Sequence, residues 1–530
     1  MTDDPVTHSP FSGRWIARIG NKIICQGGSP DQAFKAAKSI RGKETIIISY
    51  IPFAQIMTFP PLFYQIQKVL SNERNIYLVG GAVRNALLAQ KMNDLDFAVP
   101  SDVERVARLV SRELKADIYP LDQARESFRL ILHLSEDKVQ YLDFSRMRGT
   151  DIDSDLLARD LTINAMAVNI NDPQKLIDPL GGAQDLREKK IKACSSNSIQ
   201  DDPIRILRAV RFAAVGGYKI EDETRRQLKS NIGSMRSTSP ERIRDELFKI
   251  LNLDQLPVAL RALEWLGAFP IIFPDIHPAV RVDGAKVGNF KSKLDLTSAA
   301  GILRVVKMVT LRNSTGEAGS LFGGLVASIL GSFRKDLQLY LDTHFTFERD
   351  YYQLLQLSDL SLVLAGQDMV PNAIPESIAR EMNLSREEMD AFQKMTSKMS
   401  LVENILRTSQ LQRRDAYLYF KATGSTGVAL TVLYLGRMIA RQGQMFDPDL
   451  MQSMLERTAF LWDSWWNKYD EIVDPKPFVN GDEIIQRFDL TPGPLVGKYL
   501  EQLKEEQAAG KVTNREAAFD LLVELEGKLH

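Results

Sequence analysis

The chain has 530 residues, 44% of them hydrophobic and 25% charged, with a formal net charge of −1. Such a length predicts about three or four domains, and such a balance belongs to a folded globular protein, without the global basic signature of a nucleic-acid coat. Two cysteines, five scattered histidines, no apolar run long enough to span a bilayer and a non-signal Met1-Thr2-Asp3-Asp4-Pro5 start argue against a disulfide framework, a Cys/His metal cluster, a membrane partner and secretion.

A cytoplasmic setting is therefore expected, and any RNA contact must come from local basic patches. Residues 13 to 53 read as a small separate α/β unit. Arg14 to Ile19 and Lys22 to Gln26 flank Gly20-Asn21 as a hairpin. Ser29-Pro30-Asp31 opens a helix, serine as cap and proline at the first helical position, that runs to about Ile40. Thr45 to Tyr50 reads as a buried strand. The unit holds no catalytic candidates and reads as a structural or docking appendage.

Pro60 to Leu70 is a predicted helix leading into the most informative stretch, Leu78 to Val99, LVGGAVRNALLAQKMNDLDFAV. An apolar strand ending at Val79 meets Gly80-Gly81, and a short helical pattern follows from Ala82 to Gln90. Adjacent glycines let backbone approach a phosphate, and the N–H groups of the next helix point at it. Asp94 and Asp96 then stand at i and i+2 of a strand, so they project from one face. Two such carboxylates seat a divalent cation, and magnesium prefers carboxylates plus substrate phosphates to an all-protein cage. The combination spells a two-metal phosphoryl-transfer site.

Helix Val103 to Leu114 and strands near Asp117 to Tyr119, Arg129 to Leu134 and Val139 to Phe144 complete a small mixed α/β catalytic domain. Asp143, on the last strand, supplies a third carboxylate or pairs with Arg146 or Arg148. In Asp155 to Asn169, DLLARDLTINAMAVN, Arg159 is placed to hold a triphosphate and Asn164 to bond a ribose hydroxyl. The competing reading there is a capped helix with an exposed ion pair. A hairpin through residues 168–177 closes on Asp178-Pro179-Leu180-Gly181-Gly182.

In Asp201 to Phe212, DDPIRILRAVRF, Asp202 is the expected helix cap with Pro203 at the first position. Arg205, Arg208 and Arg211 recur every third residue and share a face, while Ile204, Leu207, Val210 and Phe212 are expected in a core. An arginine row bordered by apolar packing is an anion-binding ledge. From there the chain reads as helical. Ser239-Pro240 opens a helix with Ile243, Leu247, Ile250 and Leu251 on one stripe. Further helices are predicted over 257–267, 296–313, 320–342, 346–363, 375–395, 398–408, 411–422, 426–442 and 447–469, the last carrying Trp462, Trp465 and Trp466 for core packing. Three short helices follow Pro475-Lys476-Pro477.

In this order, VGGAVRN with DLD, RDLTINAMA, DPLGG, DDPIRILRAVRF and SPERIRDEL resemble the bacterial class II branch of the tRNA nucleotidyltransferase and poly(A) polymerase family, within the DNA polymerase beta-like superfamily. The terminal GDEII…TPGPLVGKYLEQL…AAGKVTNREAA resembles the tail of some members. Residues 60 to 260 carry the closest likeness and residues 1 to 58 fall outside it. Asn85 and Asp201 stand where the family usually has aspartate and glutamate, and Ala158 replaces the first of two arginines. The C-terminal half lacks the His-Asp pair of the phosphohydrolase domain attached to some relatives.

The resemblance implies an α+β fold: a small mixed-sheet nucleotidyltransferase head at 59–200, a helical neck at 201–290, a helical body at 291–470 and an RNA-binding helical tail at 471–530, after the N-terminal module of 1–58. It implies template-independent addition of CCA, or part of it, to tRNA 3′ ends, with CTP and ATP as substrates and two magnesium ions on Asp94 and Asp96. An enzyme adding only A, or a poly(A) polymerase, is the alternative in the same chemistry, with tRNA or another RNA as partner; an inactive RNA-binding paralogue is the alternative of another class. Gly80, Gly81, Arg84, Arg159, Arg208 and Arg211 would line the triphosphate, with Asp160 and Asn164 beside them. Asp202 and Arg205 would read the base, accepting from the exocyclic amine of C or A and donating to the adjacent ring nitrogen.

Overall fold

The computed structural model describes residues 13–20, 22–41, 44–51, 57–92, 94–123, 125–135, 138–274, 296–310, 321–346, 349–364, 373–442 and 447–527. The chain separates into two compact units, Met1–Thr238 and Ser239–His530. The first is mixed α/β, the second almost wholly helical, which makes the fold α+β. Among the described residues no helix is long and apolar enough to cross a membrane.

The first unit opens with β1 (Arg14–Ile19), β2 (Lys22–Gly27), α1 (Pro30–Ile40) and β3 (Ile47–Ile51), forming a three-stranded sheet of order β2-β1-β3. Ser29 caps α1 by accepting from the Gln32 N–H, and Pro30 takes the first helical turn, where its missing N–H is harmless. Ala33 and Ala37 of α1 are fully buried and pack against Ala17 of β1. The third strand was expected to be buried, yet β3 is half exposed, because it is an edge strand paired only with β1.

After α2 (Pro61–Val69) come β4 (Tyr77–Val79), α3 (Gly81–Leu87), β5 (Asp94–Val99), α4 (Val103–Leu114), β6 (Asp117–Asp122), β7 (Ser127–Ser135) and β8 (Lys138–Arg146). Next are α5 (Ile152–Leu157), a 3₁₀ turn at Thr162–Asn164, β9 (Ala167–Asn169), β10 (Asp172–Ile177) and α6 (Gly182–Arg187). Seven strands make one sheet, β10-β9-β4-β5-β8-β7-β6, in which β5 and β8 run parallel and all other neighbours antiparallel. The alternation in DLDFAV decides what faces where. Leu95, Phe97 and Val99 drop into a core with Phe63, Val106, Val110, Leu142 and Phe144, and the Phe97 and Phe144 rings stack at 4.9 Å. Asp94 and Asp96 therefore point to the opposite face of the sheet.

The unit ends with β11 (Lys190–Ile191), α7 (Ser198–Asp201), α8 (Arg205–Gly216), β12 (Lys219–Ile220) and α9 (Asp222–Ser230). Regular helix in α8 starts later than expected. Asp202 is extended (φ −152°, ψ 96°) between α7 and α8, and the N-cap position of α8 falls on Ile204, whose side chain makes no capping bond. Pro203 instead begins a tight turn in which Arg205 and Ile206 N–H groups bond the carbonyls of Asp202 and Pro203.

In the second unit, helix Pro240–Leu251 buries Ile243, Leu247, Ile250 and Leu251 as its stripe predicts. The helix expected over 296–313 is seen from Thr297 to Thr310, its last residues lying outside the described ones. The pattern over 320–342 splits into Leu321–Leu330 and Arg334–Leu341 around a 3₁₀ turn, and that over 375–395 splits at Asn383, where φ is 44°. Ser385 then caps the second piece with a reciprocal bond from Glu388. Trp462 is fully buried and donates to Thr431 Oγ1 at 3.0 Å, which fixes its use as core packing. The last three helices, Gly481–Phe488, Pro494–Ala508 and Arg515–Gly527, gather an apolar cluster of their own around Tyr499, Leu503 and Leu522.

Candidate active site

The turn between β4 and α3 is built on Gly80, whose φ of 73° with ψ of −133° is open only to glycine at little strain. The lack of a side chain also makes room. A Cβ at Gly80 would lie 3.3 Å from Arg159 Nη1 and 3.6 Å from Asp96 Oδ2. One at Gly81 would lie 3.4 Å from Arg84 Nη2. So the glycine pair, one carboxylate and two arginines meet within a few bonds of the helix start.

Val79 pairs with Asp96 across the β4–β5 ladder, and Asp96 is in register with Asp143 across β5–β8. Burial, reinforced by the Asp143 and Asp94 charges, pushes the Asp96 carboxyl up to about 6, against opposing pulls from Arg159 and Arg129. Asp143 does not pair with Arg146 or Arg148. It takes both hydrogen bonds of a bidentate Arg129 on the adjacent strand, at 2.8 Å each. Arg146 instead bonds Glu126, and the Arg148 guanidinium bonds the Ala158 carbonyl. Among the described residues no three His, Cys, Asp or Glu side chains form a ready-made metal cage. An ion that takes part of its shell from substrate phosphates suits this donor set, since a cation is what a half-buried carboxylate crowded by two others lacks.

Facing the carboxylates is a cationic network. Arg84 Nη1 donates to Asn164 Oδ1, Asn164 donates to Asp160 Oδ1, and Asp160 accepts from Arg208 Nε at 2.7 Å. Burial alone would raise the Asp160 carboxyl, but Arg208, the Leu161 N–H and Asn164 hold it below the usual carboxylate range. Phe212 is only half-buried, contrary to its expected place in the core. Its ring carries Arg84, Arg208 and Arg211 at 4.9, 5.6 and 4.3 Å from its centre. Burial lowers the Arg84 guanidinium's pKa, and the neighbouring Arg211 and Arg208 charges lower it further. Asn85 accepts from Arg84 without adding negative charge, so the cluster stays strongly cationic.

Arg159 does not pair with Asp160. It bonds Asp155 through Nε and Nη2 at 2.9 and 2.8 Å, and Asp155 is buried within α5. Arg205 leaves the arginine row altogether. Only 7% exposed, it donates to the carbonyls of Ala158, Arg159 and Ser198 and to Ser198 Oγ, at 2.8 to 3.1 Å. The structure thus brings together Gly80, Gly81, Arg84, Asp96, Asp143, Arg159, Asp160, Asn164, Arg208 and Arg211. Asp94 sits at the exposed start of β5, and Asp202 lies one turn before Arg205. Sequence reasoning missed Arg129, Asp155, Ser198 and Phe212. The i,i+4 spacings Asp155–Arg159 and Arg208–Phe212 were visible signals. Arg129 opposite Asp143 needed the strand register.

Residues 76–192 match the family model of the "Poly A polymerase head domain". Residues 217–280 match the "Probable RNA and SrmB- binding site of polymerase A", and residues 367–522 match tRNA nucleotidyltransferase domain 2. A CC-adding tRNA nucleotidyltransferase of Geobacter sulfurreducens is 38% identical over 210 residues, covering 39% of this chain and 48% of that protein. The chain therefore spans about half the length of that relative. Its Synechocystis counterpart, also CC-adding, is 25% identical over 454 residues, covering 84% of this chain and 93% of that protein. An A-adding tRNA nucleotidyltransferase of Deinococcus radiodurans is 27% identical over 442 residues, covering 82% and 92%. A CCA-adding enzyme in complex with CTP shares the fold at a TM-score of 0.60 and 21% identity, over 88% of this chain and 96% of that one. The Thermotoga maritima CCA-adding enzyme complexed with tRNA does so at 0.56 and 22%, over 88% and 97%.

With the sheet and its charged residues in place, these matches make the chain a nucleotidyltransferase. More narrowly, it belongs to the class II family of tRNA nucleotidyltransferases and poly(A) polymerases.

Proposed function

We propose that this chain extends tRNA 3′ ends without a nucleic-acid template, and that the part of CCA it adds is the two C residues. The observation that carries the chemistry is the opposition of charge across the Gly80 turn. Asp96, in register with Asp143, lies against Gly80, and Arg84, which shares the Phe212 ring with Arg208 and Arg211, lies against Gly81. A nucleoside triphosphate needs both sides, cations for its phosphates and carboxylates for its metal.

On this reading the Gly80 turn, through the Gly81 N–H and the space its missing side chain leaves, holds the triphosphate together with Arg84, Arg159, Arg208 and Arg211, while the Gly80 N–H is bonded to the Met166 carbonyl. Asn164, its carbonyl oxygen bonded by Arg84, faces the ribose. Asp94 and Asp96 would hold two magnesium ions, which supply Lewis-acid activation of the RNA 3′-hydroxyl and of the departing pyrophosphate. Asp143, clamped by Arg129, fixes the charge beside Asp96. Asp202 and Arg205 select the base. Arg205 is pinned by backbone carbonyls, so a base meets a donor that is already oriented. A base presenting a carbonyl and a ring N–H at that edge would leave both groups unpaired, which is how such a site rejects it.

Two observations favour CC over the full CCA. Between Asp96 and Arg159 the described chain is nearly all strand and helix, with β8 joined to α5 through residues 147–151 alone. On this reading so little described loop leaves the head little with which to reshape a base seat for a second nucleotide. The Geobacter and Synechocystis relatives are both named CC-adding. The Deinococcus relative supports the competing reading, addition of A alone.

The test gives the purified chain tRNAs ending before CCA, after its first C and after CC, with CTP or ATP singly and magnesium present. The expected outcome is extension with CTP up to CC and no extension of any tRNA with ATP. Efficient ATP addition to the CC-ending tRNA would replace this reading with A or CCA addition. No extension of any substrate would remove it.

A further inference from the structure

The module of residues 14–51 lies outside the segments that the family models match. Its seam with the head is close and specific. Gly28 lies so near the head that a Cβ there would fall 1.5 Å from the Asp178 carbonyl oxygen. The Gly28 carbonyl accepts from the Asp178 N–H at 2.8 Å, and Arg14 Nη1 donates to the Asp178 carbonyl at 3.1 Å. Ser29, buried and capping α1, also donates from Oγ to Asp153 Oδ2 at 2.7 Å. Tyr50 Oη accepts from the Leu176 N–H at 3.2 Å. Lys35 of α1 adds an attractive charge toward Asp151 and Asp153.

Two anchors in the head, Asp153 and Asp178, lead to residues of the candidate site. Asp153 is in α5, the short helix whose Asp155 holds Arg159. The Asp178 carboxylate accepts from the Gly182 and Ala183 N–H groups at 2.6 and 3.0 Å and so fixes the start of α6. That start presses on the 3₁₀ turn: a Cβ at Gly182 would lie 2.0 Å from the Thr162 carbonyl oxygen. Thr162 Oγ1 also donates to Asp185 of α6 at 2.7 Å. Asn164, bonded by Arg84, ends the same turn. Two short helices reached from the module thus bear on the site: α5, whose Asp155 bonds Arg159, and α6, whose start packs on the 3₁₀ turn that ends at Asn164.

We infer that the N-terminal module is a brace for the nucleotide-binding segment: it sets Arg159 through α5 and Asn164 through α6, with Gly28 and Ser29 as its positioning residues. The inference rests on the reading that Arg159 and Asn164 hold the nucleotide. It deepens that reading by giving residues 14–51 a part in nucleotide affinity. Short elements anchored from outside are where small displacements reach a site, and a shift of about 1 Å far from the chemistry can lower a rate about a hundredfold.

The test uses the full chain with Gly28→Ala as a wedge, Ser29→Ala as a deleted tether and Ser29→Thr as a retained one. Steady-state extension of a tRNA lacking CCA is measured against CTP and against tRNA, with melting curves alongside. Gly28→Ala and Ser29→Ala should raise the KM for CTP about tenfold, leave the KM for tRNA within about twofold, and Ser29→Thr should restore the CTP value. Should Gly28→Ala not yield folded protein, Asp153→Ala, which removes one acceptor at the seam, takes its place with the same expectation.

A lower melting temperature with the wild-type KM for CTP in both variants would overturn the brace. So would equal losses toward CTP and tRNA, the mark of a smaller folded fraction. Arg159→Ala separates the two layers of the argument. An unchanged KM for CTP there defeats the site reading and the brace with it. A raised one, beside unaffected seam variants, defeats the brace alone.

Discussion

On β5 and β8, Asp96 and Asp143 stand in register, and Asp96 is left crowded by like charge, its carboxyl pushed up to about 6 by burial and by its neighbours. On α8 the charges are graded instead. Arg205 is spent on backbone carbonyls, Arg208 is paired with Asp160, and Arg211 lies over the Phe212 ring. The comparison separates charges whose partners the fold supplies from a charge that its neighbours oppose. An ion supplied with partners is held in one orientation by the fold. An ion opposed by its neighbours is tolerated where a ligand completes it.

The largest effect should come from the carboxylate side. On the proposed reading Asp94→Ala removes a carboxylate that would seat metal, at an exposed strand start, so single-turnover CTP addition should fall about a thousandfold or more with little change in melting temperature. Near-normal turnover in the purified variant would break the contrast at its root.

Arg205→Ala comes next, and it sharpens the comparison because its two readouts should move together. Three carbonyls lose a charged donor, so stability should drop by about 2–4 kcal/mol. Discrimination against UTP and GTP should fall about tenfold to a hundredfold, since one lost polar base contact is worth about 1–3 kcal/mol. Asp202→Ala should likewise shift the ranking of the four triphosphates, with melting curves alongside to separate that shift from a loss of stability. An unaltered ranking in both variants would make Arg205 a brace and nothing more.

The smallest of these effects is expected at Phe212. Removing the ring under three guanidiniums costs each cation about 0.5–1 kcal/mol of cation–π attraction and lets the cluster spread. Phe212→Ala should therefore raise the KM for CTP about tenfold while kcat changes less. An unchanged KM would return Phe212 to ordinary packing.

Much of the head was legible because its signals are local. The alternation of DLDFAV places two aspartates on one face and three apolar residues on the other, and β5 is built that way. Ser29-Pro30 starts a helix where a cap and a proline say it should. Long-range pairing was not legible. Nothing near Asp143 in the sequence points to Arg129, fourteen positions back, because only the β7–β8 register sets them opposite. The arginine row misled for a related reason. Spacing of three predicts a shared helical face, but Arg205 sits at the start of α8, where the α7–α8 turn bends its side chain toward residues 158, 159 and 198.

The most direct test of uncompensated charge is to neutralise Asp96 and measure stability and turnover on the same protein. Its folded pKa is raised above the ordinary 3.8 to about 6. A carboxyl of that kind contributes stability below pH 4 that is lost as pH rises through 6. In metal-free buffer at pH 8, Asp96→Asn should thus melt roughly 2–6 °C above wild type, and the gap should close as pH falls toward 4. With magnesium, tRNA and saturating CTP, the same variant should lose about a thousandfold in single-turnover extension. A variant that melts at or below wild type at pH 8 and still extends tRNA at a near-normal rate would contradict the account.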